Sequence, residues 1–118
     1  MLITQTRVFD VPTAIGTIVT LREINSYNRM MYFENLGANT LAVQVQQSTD
    51  GGNTWALIDT AFNIGPKGGG ADIITKQITS GNILRVQASG GGDDRDLYFG
   101  FTRMMADGDS PTWVPPVM

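Results

Sequence analysis

The apolar residues of this chain recur at every second position, and that period decides what it can fold into. Along TLAVQVQQ, Leu41, Val43 and Val45 point one way, while Thr40, Ala42, Gln44 and Gln46 point the other. A period of two is the mark of a strand with one buried face; a helix needs 3.6. The same alternation sets Leu84, Val86 and Ala88 against Ile83, Arg85 and Gln87, and Leu97, Phe99 and Phe101 against Tyr98, Gly100 and Thr102. It also sets Ile18, Thr20 and Arg22 against Val19 and Leu21.

Turn signals separate these runs: Leu36-Gly37-Ala38-Asn39, Asp50-Gly51-Gly52-Asn53, the glycine-rich 65–70, Ser80-Gly81-Asn82 and 89–94. Glycine supplies positive φ at such places, and Asn or Asp bonds neighbouring amides. The reading is seven to eight strands, near 2–9, 16–23, 29–35, 40–48, 54–59, 71–79, 82–88 and 96–104. The expected fold is all-β, an antiparallel β-sandwich of jelly-roll type. No window supports a long helix; 61–64 is read as one helical turn at most. At 118 residues the chain is long enough for one core.

One domain and an arm are expected: a sandwich over residues 1–106 and an extended, proline-rich arm over 107–118. The arm holds three of the five prolines, and proline bars it from a central ladder. Its tip, Trp113, Val114, Pro115, Pro116 and Val117, is costly to leave in water. It either folds back on its own domain or docks on a neighbour, and these five residues are taken as a candidate contact with another subunit. The N-terminal MLITQTRVFD lacks a basic segment followed by an apolar core, so it reads as a first strand and not as a secretory signal. Leu2, Thr4, Thr6 and Val8 share one face of that strand and are a second candidate contact. Met30-Met31-Tyr32-Phe33 has no polar alternation, so it is read as a central strand covered on both faces or meeting a subunit.

Composition narrows the chemistry. Cysteine and histidine are absent, which removes thiolate nucleophiles, histidine bases, disulfides and the usual zinc sites. Eleven acidic against eight basic residues give a net charge of −3, and the six arginines are scattered. That argues against nucleic-acid binding, and no apolar run is long enough to span a membrane as a helix. No cofactor or metal is expected. Asp93, Asp94, Asp96, Asp107 and Asp109 are read as solvated loop charge, since neither run matches a calcium loop. Glycoside hydrolysis needs two placed carboxyl groups, yet Glu23 and Glu34, the only glutamates, fall at strand ends. The chain is expected not to be an enzyme.

The stretch Ser48-Thr49-Asp50-Gly51-Gly52-Asn53-Thr54-Trp55 has the spacing of an Asp-box and resembles the hairpins repeated in sialidase-like propellers. Its physics is structural: the aspartate accepts amide bonds across the turn, the glycine takes a conformation others avoid, and the indole packs on the hairpin. Ser48, Asp50, Gly52, Thr54 and Trp55 are therefore read as turn residues.

Together with the upstream Tyr32-Phe33-Glu34-Asn35-Leu36-Gly37-Ala38-Asn39 and the strand after it, this segment resembles small β-sandwich virion proteins of tailed bacteriophages, capsid decoration (cement) and head-fibre proteins. The resemblance implies a structural protein on the capsid surface of a virion. Its implied partners are the major capsid protein and other copies of itself, a trimer being the preferred oligomer. It implies no catalytic residues. A carbohydrate-binding sandwich in a host-recognition spike is the alternative, with Tyr27, Tyr98 and Trp113 as rings and Asn25, Asn28 and Asp96 as polar partners for a glycan. A head-to-tail or tail component is a third.

Overall fold

The computed structural model of the chain describes residues 2–21, 27–58, 60–80, 83–92 and 95–104. They form strands β1 (Leu2–Phe9), β2 (Gly16–Leu21), β3 (Tyr27–Asn35), β4 (Leu41–Ser48), β5 (Ala56–Leu57), β6 (Phe62–Ile64), β7 (Ile73–Ser80), β8 (Ile83–Ser89) and β9 (Leu97–Met104), with no helix among the described residues. The arm, 107–118, lies outside them.

The strands make two antiparallel sheets, one ordered β1-β9-β3-β7 and the other β2-β8-β4-β5, with β6 also paired to β4. β5 and β6 divide one border of β4: Leu57 and Ala56 pair with Gln46 and Gln47, while Ile64, Asn63 and Phe62 pair with Leu41, Ala42 and Val43. With that border counted as one position, the chain crosses between sheets at almost every step. Late strands β8 and β9 then insert between early ones. This is jelly-roll order.

Side chains from both sheets meet in one core. Met31, Phe33, Leu97 and Phe99 from the four-stranded sheet pack with Val19, Leu41, Val43, Leu84 and Val86 from the other. Phe33 is the hub: its ring centroid lies 5.0 Å from Phe99 in its own sheet and 5.2 Å from Phe62 in the opposite one. Those separations suit edge and tilted ring pairs, which add to the gain from burial alone. The alternation read for β4, β8 and β9 appears directly as buried Leu41, Val43 and Val45, Leu84, Val86 and Ala88, and Leu97, Phe99 and Phe101.

Three local expectations are corrected. The register of β2 on β8 shifts between Thr17 and Val19, and the bulge breaks strict alternation. Ile18, Val19, Thr20 and Leu21 are all buried, although Thr20 pairs with Arg85 on the side of the sheet away from Val19 and Leu21. Residues 61–64 are no helical turn, because Phe62 and Ile64 are drawn to the core border and the segment pairs as β6. β3 is central, between β9 and β7, but only its Met31 and Phe33 face is buried; Met30 is 44% exposed.

Candidate functional site

The outer face of the four-stranded sheet is the candidate site. Register fixes its members. Thr6 and Val8 of β1 pair with Gly100 and Tyr98 of β9. Gly100 and Tyr98 pair in turn with Tyr32 and Glu34 of β3. Tyr32 and Glu34 pair with Thr75 and Ile73 of β7. Alternation turns all of these away from the core, which takes Phe33 and Phe99. Met30, Thr102 and Gln77 continue the same face. Within these strands, Glu34 is the one charged residue among the described side chains of that face.

Gly100 makes a slot in this surface. It has no side chain, and its strand neighbours Thr6 and Tyr32 do, so the missing Cβ leaves a gap between them. The resulting open groove measures about 460 Å³ and is lined by Thr6, Tyr32, Glu34, Tyr98 and Gly100. The two tyrosine rings meet edge to face, 5.8 Å apart at 85°. The Tyr32 hydroxyl donates to Glu34 Oε1 at 2.8 Å. That bond to the carboxylate, then burial, raises the Tyr32 pKa above its ordinary value, so the phenol stays a donor at neutral pH. Glu34 therefore has a partner within the slot.

The outer face of the other sheet is of opposite character. Gln44 Nε2 donates to Gln87 Oε1 at 2.7 Å, and Gln87 Nε2 donates to Thr17 Oγ1 at 3.2 Å. Arg85 Nε donates to Gln46 Oε1 at 2.6 Å while its guanidinium lies 4.3 Å over the Trp55 ring. Burial lowers the Arg85 pKa, and the ring face offsets part of that cost. Amides joined in a ladder of this kind satisfy one another and leave a hydrophilic surface.

Trp55 belongs to the Asp-box turn, which the structure builds as a closed set of bonds. Asp50 Oδ1 accepts from Ser48 Oγ at 2.7 Å and from the amides of Asn53 at 3.1 Å and Thr54 at 2.9 Å; Oδ2 accepts from Thr54 Oγ1 at 2.6 Å. The Thr54 hydroxyl and amide and the Ser48 hydroxyl hold the Asp50 carboxyl down to about 2. Ser48 Oγ takes the Gly52 amide at 2.8 Å, and Trp55 Nε1 donates to the Gly52 carbonyl at 3.1 Å. Gly52 sits at φ 100°, where a side chain is strained. The carboxylate is committed to the turn.

Two buried polar residues at the far end of the sandwich escaped the sequence reading. Asn35, fully buried, donates from Nδ2 to the carbonyls of Asn39, Ile64 and Gly65 at 2.7, 3.1 and 2.9 Å, and accepts the Gly37 amide at 2.9 Å. The Asn-x-Gly spacing was the available signal, since Asn bonds the amide two residues on. Asp96, only 8% exposed, accepts the amides of Val11 at 3.3 Å and Gly92 at 3.1 Å. Its reading as solvated charge, or as a glycan partner, is corrected: it ties the β1–β2 loop to the loop before β9.

Of the other predicted contacts, Thr6 and Val8 lie on the outer face described above. Leu2 and Thr4 pair through their backbones with Met104 and Thr102; their side chains lie outside the described set, as do those of Tyr27 and Asn28. Trp113, Val114, Pro115, Pro116 and Val117, with Asn25, Asp93, Asp94, Asp107 and Asp109, lie outside the described residues. Comparison with family models, with curated proteins and with solved structures returns no match.

Proposed function

We propose that the chain is a non-catalytic structural protein that docks through the outer face of its four-stranded sheet. Its specific role would be capsid decoration: binding the outside of a phage head as an oligomer, a trimer by preference, and stabilising the shell. One observation carries the docking reading: among the described side chains of that face, from β1 across to β7, Glu34 is the single charge, itself bonded to a tyrosine. Interface centres are depleted of charge and enriched in aromatic residues and Met; a surface meant only for water has no reason to be. The hydrophilic ladder on the other sheet supplies the contrast. The virion assignment is drawn from the sequence resemblance.

The mechanism is burial without chemistry. A specific interface removes roughly 1,200–2,000 Å² from water, and repetition over a symmetric shell multiplies weak sites into a firm coat. The test is to place a charge on each face in turn. Thr75→Lys and Tyr98→Lys should reduce retention on phage heads assembled in cells expressing the chain by about 30-fold or more, the equivalent of about 2 kcal/mol for a charge left unpaired in an interface. Gln44→Lys, on the ladder face, should leave retention and native oligomer mass unchanged. Equal retention of all three would overturn the docking face.

The slot itself favours a second reading, a glycan-binding sandwich. Two tyrosine rings and a carboxylate around an open groove are groups that recognise sugar rings and hydroxyls. Glycan-array binding lost on Tyr98→Ala, with retention on particles unaffected, would establish that role instead.

A further inference from the structure

The slot over Gly100 is narrow beside the face around it: about 460 Å³ holds a few side chains and no folded element. It is lined by two tyrosine rings, a threonine and a backbone floor, and the Glu34 carboxylate receives the Tyr32 hydroxyl. Grooves walled by aromatic rings are the usual receptors for proline-rich segments, whose stiff extended backbone costs little entropy to bind. The chain carries such a segment itself: Trp113-Val114-Pro115-Pro116-Val117, within a run from Ser110 to Met118 that has no charge. Asp107 and Asp109 precede that run, where they need not approach Glu34.

Reach favours the chain's own segment. β9 carries both Tyr98 and Gly100 and runs out at Met104, so the point of departure is about 13 Å from the slot floor at some 3.3 Å per residue. Residues 105–112 can span up to about 26 Å, enough to turn back over the sheet. Tethering also supplies an effective concentration in the millimolar range for a short linker, so weak recognition suffices.

We propose that the slot formed by Thr6, Tyr32, Tyr98 and Gly100 is the seat of the chain's own proline-rich segment, residues 113–117, bound in the same molecule. The assignment rests on reading this sheet face as an interface, and it gives the face an occupant that a docking partner must displace or build upon.

The absence of cysteine allows a clean test in the full chain. Thr6→Cys with Val114→Cys should close an intrachain disulfide under mild oxidation, seen as a monomer two hydrogens lighter. Closure should be at least about tenfold faster than for the ladder-face pair Gln44→Cys with Val114→Cys, as a bound rather than freely tethered segment requires. Tyr98→Ala added to the first pair should slow closure toward the ladder-face rate. Thr75→Cys with Val114→Cys repeats the measurement from the other side of Tyr32, and circular dichroism of the reduced proteins confirms folding. Equal rates for the two faces, no closure, or a covalent dimer in place of the closed monomer overturns the assignment. Should closure fail while Thr75→Lys still releases the protein from particles, the docking face stands without its occupant. Should closure succeed with retention unmoved, the docking face falls.

Discussion

Replacing Asn35 by alanine removes two amide hydrogens shared among three carbonyls, and one accepted bond, from the end of the sandwich where β3 turns toward β4. Each of these three bonds is worth about 0.5–1.5 kcal/mol net, so the set is worth about 1.5–4.5 kcal/mol. The Asn39 and Gly65 carbonyls are only partly covered and regain water, which places the expected loss near 2–4 kcal/mol. Urea unfolding at equilibrium measures it directly: with a slope of about 2 kcal/mol/M, the midpoint should fall by about 1–2 M at unchanged slope. Asn35→Asp separates donors from the acceptor. It keeps an oxygen for the Gly37 amide but turns a carboxylate toward the carbonyls of Asn39, Ile64 and Gly65, so it should cost at least as much as alanine. A loss below about 1 kcal/mol for alanine, or a stable aspartate variant, would show that these carbonyls are satisfied otherwise and that Asn35 is not the pin of that end.

Three further outcomes follow from the same geometry. Asp50, whose carboxyl is held down to about 2 from an ordinary 3.8, stabilises the fold fully above pH 3.8 and loses that contribution as pH falls through about 2. Asp50→Asn should flatten stability over that window, as followed by tryptophan fluorescence in acid titration. Phe99→Ala empties the centre of the ring cluster with Phe9, Phe33 and Phe101 and should cost about 3–5 kcal/mol in urea unfolding. Gly91→Ala would drive its Cβ into the Val11 carbonyl and to 2.6 Å from Val11 Cβ and 2.8 Å from Asp96 Oδ2. The crossing of the two loops must then part, at a cost of about 3 kcal/mol by thermal or urea unfolding.

What was legible in the sequence was whatever a local period could report. Leu41, Val43 and Val45, or Leu97, Phe99 and Phe101, announce their buried face because two-residue alternation survives in any sandwich. The bulge in β2 was hidden because Ile18, Val19, Thr20 and Leu21 read as plain alternation, and the shift between Thr17 and Val19 shows only in the pairing with β8. β6 was hidden because three residues cannot show a period, and only pairing with Leu41 to Val43 defines them as a strand. Asn35 and Asp96 sit in turn-like sequence, where polar residues are ordinarily wet; burial comes from loops that meet across long sequence separations. The candidate face was least legible. Thr6, Tyr32, Thr75 and Tyr98 lie on four strands, and their shared shortage of charge exists only once the order β1-β9-β3-β7 brings them side by side.

The division of one β4 border between two short strands has a bearing on crowding. A long bare rim of amides and carbonyls invites another molecule to add a strand, and then another, toward fibrous growth. Here that rim carries a pair of two residues and a pair of three, separated along β4 by Gln44 and Val45. An incoming strand finds no long unbroken run to zip onto along this border, so growth by strand addition is blunted there, and β1, β7 and β2 are left as the other rims of the two sheets.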